Sequence, residues 1–250
     1  MRKLNSSFSM IAVLFVLIFI QIGQQEVFAA SDKKIKSEAA VFNIETVAKG
    51  FEVPWSMEFL PDGSALVSDR KTGHLQRLNI ETGELIKISG LPKILLKSKI
   101  GAGLFDVRIH PDFADNGWVY IVYATGSAEA SGLVVERMTL KDNGLTQSQR
   151  LLETKPRVKG KYHFGGRLVY LNGYLFLTTG DGYFHPHLAQ DLTAHQGKVL
   201  RIHDNGDIPI DNPFIEVEGA LPEIWSFGIR SPQGLAVHPE TEQVWANEHG

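Results

Sequence analysis

The 250-residue chain contains no cysteine, and that absence removes several kinds of chemistry at once. Disulfides, thiolate metal sites, a cysteine nucleophile and lipid attachment at a signal-peptide cysteine are all excluded. Long apolar runs are nearly absent as well. The one present, "MIAVLFVLIFI" at residues 10–20, is too short for a membrane span and has the length of a signal-peptide core. It follows Arg2 and Lys3 and precedes the small residues of "VFAA" at 27–30, so residues 1–29 read as a cleaved export signal. The rest is then periplasmic or secreted, with no stable membrane insertion after cleavage.

A surplus of positive charge is also missing. Twenty-five Lys and Arg stand against 28 Asp and Glu, a formal charge of −3, and losing residues 1–29 makes it −4; nothing here points to a nucleic-acid partner. The GxSxG elbow, the Walker A loop and the GxGxxG fingerprint are absent. No window of a dozen residues holds a clean helical period.

What is present is repetition. An apolar strand, a turn led by Pro-Asp or Asn-Gly and a second apolar strand recur four times: "WSMEFLPDGSALVSD" (55–69), "LFDVRIHPDFADNGWVYIVYA" (104–124), "GRLVYLNGYLFLTTGD" (166–181) and "QGLAVHPETEQVWANEHG" (233–250). Their turns fall at Pro61, Pro111, Asn172 and Pro239. Further strands such as "HLQRLNI", "LVVERMTL" and "GKVLRIHD" lie between them. Four-stranded antiparallel units repeating every fifty residues or so predict an all-β propeller, with a flat sandwich as the alternative. A polar linker at 30–40 precedes a propeller domain at 41–250. The fourth copy stops after its second strand, so the expectation is a piece of a longer propeller with about four blades present.

A propeller binds ligands where the loops between blades converge. Three boundary stretches qualify: "YHFGGR" (162–167), "FGIRSPQG" (227–234) and "NEHG" (247–250). His163 is the neutral-pH base of the first, either a turn-capping residue or a catalytic one, and Gly165 and Gly166 beside it allow backbone and ligand to approach closely. Arg230 in the second is a rigid, permanently charged group, functional or bonded to loop carbonyls. Glu248, His249 and the Gly250 carbonyl offer oxygen to a hard cation. Upstream, Lys155, Arg157, Lys159 and Lys161 alternate; an extended strand would turn all four to one side, as a solvated edge or a field for an anionic ligand. His185 and His187 lack an evident third metal ligand. The acids of "DNGDIPIDNP" (204–213) read as hairpin turns.

With "VPWSMEFLPDG", "GLFDVRIHPDF", "HFGGRL", "YLFLTTGDG", "AQDLTAHQGKVLRIHDNGDIPIDNPF", "PEIWSFGIRSPQGLAVHP" and "NEHG" in this order, the sequence resembles the quinone-dependent glucose/sorbosone dehydrogenases, in particular the periplasmic aldose sugar dehydrogenases. The resemblance implies a six-bladed β-propeller that uses pyrroloquinoline quinone and calcium, so about two blades would be missing. It also implies a small-molecule sugar substrate and an external electron acceptor. His163 would be the general base at the anomeric hydroxyl. Arg230 would stabilise the quinone oxygen, with Ser231, Gln233 and Lys161 as further cofactor contacts and the Gly250 carbonyl as one calcium ligand. Two positions depart from the family pattern: Gly101 stands where a glutamine is usual, and Ser231 where an asparagine is usual. These departures keep a second expectation alive, a secreted propeller that binds carbohydrate or protein without catalysis. A calcium-dependent lactone hydrolase, the third, lacks its carboxylate and asparagine ligand set.

Overall fold

The computed structural model describes residues 34–250; the export-signal reading of residues 1–29 lies outside them. A small unit ending at Thr46 holds one hairpin, β1 (Ile35–Lys36) with β2 (Val41–Phe42). The second unit, from Val47 onward, carries the repeats. Its first sheet is β3 (Pro54–Phe59), β4 (Ala65–Asp69), β5 (His74–Leu78) and β6 (Leu85–Lys87). The second is β7 (Leu104–Ile109), β8 (Trp118–Gly126), β9 (Ser131–Lys141) and β10 (Gly144–Glu153), and the third β11 (Gly165–Leu171), β12 (Tyr174–Thr179), β13 (Lys198–His203) and β14 (Ile224–Phe227). Then come β15 (Pro232–Val237) and β16 (Val244–Glu248). Each sheet is an antiparallel meander in chain order. The all-β propeller expectation holds, with three complete blades and two strands of a fourth among the described residues.

The blades stack through strands that are apolar on both faces. Along β8, Tyr120, Val122 and Ala124 pack into the layer shared with Leu168, Leu175, Leu177 and Leu200 of the third blade. Their neighbours Val119, Ile121 and Tyr123 pack into the layer shared with Leu66 and Leu75 of the first. Successive side chains of a strand point to opposite faces, so the unbroken run "VYIVYA" is what a blade buried between two others requires. A third layer joins Val169, Phe176 and Val199 to Leu235 of β15.

The first strand of each blade lies innermost, and these strands are tied by polar groups. Leu168 N donates to Asp106 Oδ2 at 2.8 Å, and Ser56 Oγ donates to Asp106 Oδ1. Arg108 donates to the Leu168 carbonyl at 2.8 Å and to Glu58 at 2.9 Å. Arg167 bridges the carbonyls of Trp55 (2.6 Å) and Gln233 (2.8 Å). One strand in each of four blades is thereby stitched to its neighbours.

The alternating cations at 155–161 do not form the expected strand. Only Val158 makes a β-bridge, to Ser131, and the charges point to separate partners: Arg157 to Glu153 and Lys159 to Glu129. A proline at 156 and a glycine at 160 keep the segment from a regular ladder.

Asp106 is fully buried and accepts from Ser56, Val107 N and Leu168 N. Asp106→Ala leaves those donors unpaired beside Arg108, and urea unfolding of the variant is expected to show a loss of about 3 kcal/mol or more. A loss under half that would mean the stitching is incidental to stability.

Candidate functional site

The loop before β11 carries His163, and its conformation is fixed from both sides. Tyr162 N donates to the Ile100 carbonyl at 2.7 Å, and Phe164 is buried in the core with its ring 5.6 Å from that of Phe105. Between them the His163 side chain is 10% exposed, with Nδ1 2.7 Å from Oδ1 of Asp181, itself 5% exposed. A carboxylate only accepts, so Nδ1 carries the hydrogen and, in the neutral imidazole, Nε2 keeps its lone pair, the form a general base needs. Asp181 Oδ1 also accepts from Tyr183 N at 2.8 Å, which fixes the carboxylate, and the Tyr183 ring sits 5.0 Å from the imidazole.

Asp181 N donates to the Arg230 carbonyl at 2.8 Å, so the same residue that orients the histidine ties its loop to the one before β15. Arg230 is exposed. Its Nη1 donates to the His249 carbonyl at 2.7 Å, while its backbone N–H donates to Glu248 at 2.7 Å. His163, Asp181, Tyr183, Ala189, Gln190 and Arg230 border one open cleft of about 550 Å³. The two residues singled out first from sequence thus meet in one cleft.

The other expected residues stand around it. Lys161 holds its ammonium over the rings of Tyr162 (5.1 Å) and Tyr183 (5.6 Å). Ser231 is buried, with its hydroxyl accepting from Gln233 Nε2 at 3.0 Å, so these two side chains engage each other. Gly250 is exposed. Among the described residues no group of three His, Cys, Asp or Glu is placed to hold a metal, and His185 Nε2 donates to the Lys159 carbonyl at 3.1 Å.

The glycines have structural reasons. A Cβ on Gly166 would stand 2.9 Å from Phe105, and one on Gly165 2.8 Å from the Thr178 carbonyl; they allow close packing of protein on protein, not room for a ligand. Gly101 has φ +76, and a Cβ there would approach Arg70 Nη1 to 3.0 Å and the Tyr162 Cα to 3.2 Å. A side chain at 101 would be strained by that φ and would press on Arg70 and Tyr162, the residue before His163. Asp181 was the site residue missed in the sequence. Its signal was slight, an acidic residue closing an apolar strand in "TTGDG", between two glycines.

The family pattern described as glucose/sorbosone dehydrogenase matches residues 51–250. The chain belongs to that family. The aldose sugar dehydrogenase YliI of Escherichia coli is 37% identical over 215 residues, covering 84% of this chain and 57% of that protein. The crystal structure of the soluble aldose sugar dehydrogenase from Escherichia coli in its apo form aligns with a TM-score of 0.78 and 38% identity, over 83% of this chain and 60% of that one. The PQQ-bound aldose sugar dehydrogenase from Streptomyces coelicolor aligns with a TM-score of 0.71 and 28% identity, over 89% and 62%. The chain therefore spans a little over half the length of these relatives.

Gly180 lies between the loops that carry His163 and Arg230, where a Cβ would stand 2.2 Å from the His163 carbonyl and 3.1 Å from that of Arg230. Gly180→Ala is expected to push the loops apart and lower the melting temperature by several degrees, about 2 kcal/mol of overpacking. An unchanged melting curve would contradict the close approach.

Proposed function

We propose that this chain carries the base and charge-stabilising loops of an exported, quinone-dependent dehydrogenase that oxidises an aldose at its anomeric carbon to the lactone. The observation behind this is the His163–Asp181 pair, with Nε2 free, in one cleft with Arg230. A flat tricarboxylate suits that donor set, since among the described residues the Lys161 ammonium meets the rings of Tyr162 and Tyr183 and the Arg230 guanidinium the His249 carbonyl, with no carboxylate paired to either. When bound, pyrroloquinoline quinone supplies an electron-poor carbonyl carbon that takes up two electrons as hydride.

The residues of the chain do the rest. His163 Nε2 accepts the proton of the anomeric hydroxyl, and Asp181 stabilises the imidazolium that results while holding the ring in orientation. As the C1–H bond gives up its electron pair, the oxygen left behind becomes the ring-carbon carbonyl of the lactone. Arg230 would stabilise the negative charge that develops on the accepting oxygen, a role for which a group charged at every pH is suited. Lys161, Ser231 and Gln233 would hold the cofactor's periphery, the last two as a bonded pair. Gly250 would give calcium one carbonyl; among the described residues no group of three His, Cys, Asp or Glu is placed to complete the set. Electrons then pass to an external acceptor.

An oriented imidazole favours turnover over sugar binding alone, because binding needs no proton acceptor. The test uses the full-length protein loaded with quinone and calcium, and follows dye reduction with a panel of aldoses. Cofactor-dependent reduction with at least one aldose is expected; none with any would sink the reading. His163→Ala is expected to lower turnover by about two to four orders of magnitude while quinone binding, read by its absorbance, is retained. Normal turnover in that variant would remove His163 from its role.

A further inference from the structure

Lys198 opens β13 and is fully buried, yet among the described residues no carboxylate lies within ion-pair distance of it. Its ammonium instead donates to three backbone carbonyls: Leu188 at 2.7 Å, Ala189 at 3.1 Å and Gln196 at 2.6 Å. An ammonium has three hydrogens, and all three are used. A buried charge without a counter-ion is expensive, and a neutral apolar side chain would fill the same space without that expense. The arrangement resembles a bound cation in a carbonyl cage, built from the chain itself.

What the cage holds is the wall of the cleft. Leu188 and Ala189 belong to the short 3-10 turn Pro186–Gln190, of which Ala189 and Gln190 border the cleft shared by His163 and Arg230. The Ala189 carbonyl also accepts from Gly228 N at 2.9 Å, so Lys198 and the Arg230 loop converge on a single oxygen. From the other side, Lys198 N donates to Thr179 Oγ1 at 3.0 Å, at the end of the strand that leads to Asp181. Gly197 continues the link, donating to the Gly180 carbonyl at 3.0 Å and accepting from Ile229 N at 3.1 Å.

We propose that Lys198 is a positioning residue of the active site: its ammonium pins the 186–190 turn to the 228–230 loop and so sets Arg230 opposite His163. The effect on cofactor and turnover rests on the function proposed above; the effect on the loops does not. Deprotonation leaves two hydrogens for three carbonyls, so the cage loosens at alkaline pH. Burial pushes the ammonium's pKa down to about 8, with Asp191 acting the other way. The other charged or titratable groups on the surrounding elements are His187 on the turn, His195 with its partner Glu223 (3.3 Å), and Asp181 and Arg230 at the cleft. A lysine whose folded pKa lies below its unfolded value gains global stability as pH rises between the two, so loosening of this wall runs opposite to the global trend.

The experiment is hydrogen exchange on the full-length protein, wild type and Lys198→Met, at pH 7 and pH 9.5 after correction for intrinsic rates. Lys198→Met is expected to lose about tenfold protection at residues 186–190 and 228–230 while β8 and β12 keep theirs, and to bind quinone about tenfold more weakly, the range typical of lost outer-shell support. In the wild type the same amides are expected to lose protection at pH 9.5, and in Lys198→Met to show no such pH dependence. Unchanged local protection in a folded variant overturns the proposal. Should the variant not fold, equal protection at the two pH values in the wild type overturns it on its own. If the loops loosen but no quinone binds even to the wild type, the functional reading fails and the positioning of the wall stands.

Discussion

Asp106, Arg108 and Arg167 govern the geometry on which the rest depends. Apolar layers between blades are non-directional and would tolerate a blade sliding along its neighbour. The hydrogen bonds from these three residues run from one innermost strand to the next, and they fix the height of each strand. Because the loops that precede β11 and β15 continue directly from those strands, a fixed strand height means a fixed loop position. The same groups show what such fixing demands. Glu58 is raised above the usual carboxylate range by burial, in spite of Arg108, and burial lowers Arg167.

The cleft then follows a consistent logic of backbone and charge. The loops that border it are held by main-chain bonds from another blade or loop: Tyr162 N to Ile100, Asp181 N to Arg230, Gly228 N to Ala189. Glycine occupies the points where two segments approach too closely for a Cβ. The Lys198 ammonium, inside the core, donates to three main-chain carbonyls and so ties the turn at 186–190 to β13. A rigid scaffold with functional loops at one end is how propellers separate stability from chemistry. Here the separation is incomplete, since Asp181 serves both the histidine and the loop junction.

Much of this was legible along the chain. The four strand–turn–strand copies specified the blades because a strand's period of two and its turn residues are local properties, visible without knowing any neighbour. His163 and Arg230 stood out because each sits at a repeat boundary, where an ordinary core would not place a polar residue beside glycine. The lysine row misled for a related reason. Alternation is a strand signal only if a partner strand exists, and beside residues 155–161 the structure offers one bridge and two separate acidic residues.

The sequence by itself determined that the chain is an all-β repeat, where its turns fall, and that its chemistry is free of thiols. Only the tertiary structure decided that Asp181 orients His163, that Gly165 and Gly166 serve packing, and that Lys198 is an internal cation. Asp181 lies 18 residues from His163, Gly165 13 from Thr178 and Lys198 10 from Leu188, while Gly166 meets Phe105 of another blade, and contact at such range is a property of how strands pair and blades stack. A strand's local pattern says which face is buried, but which residue meets it there depends on the register of another strand.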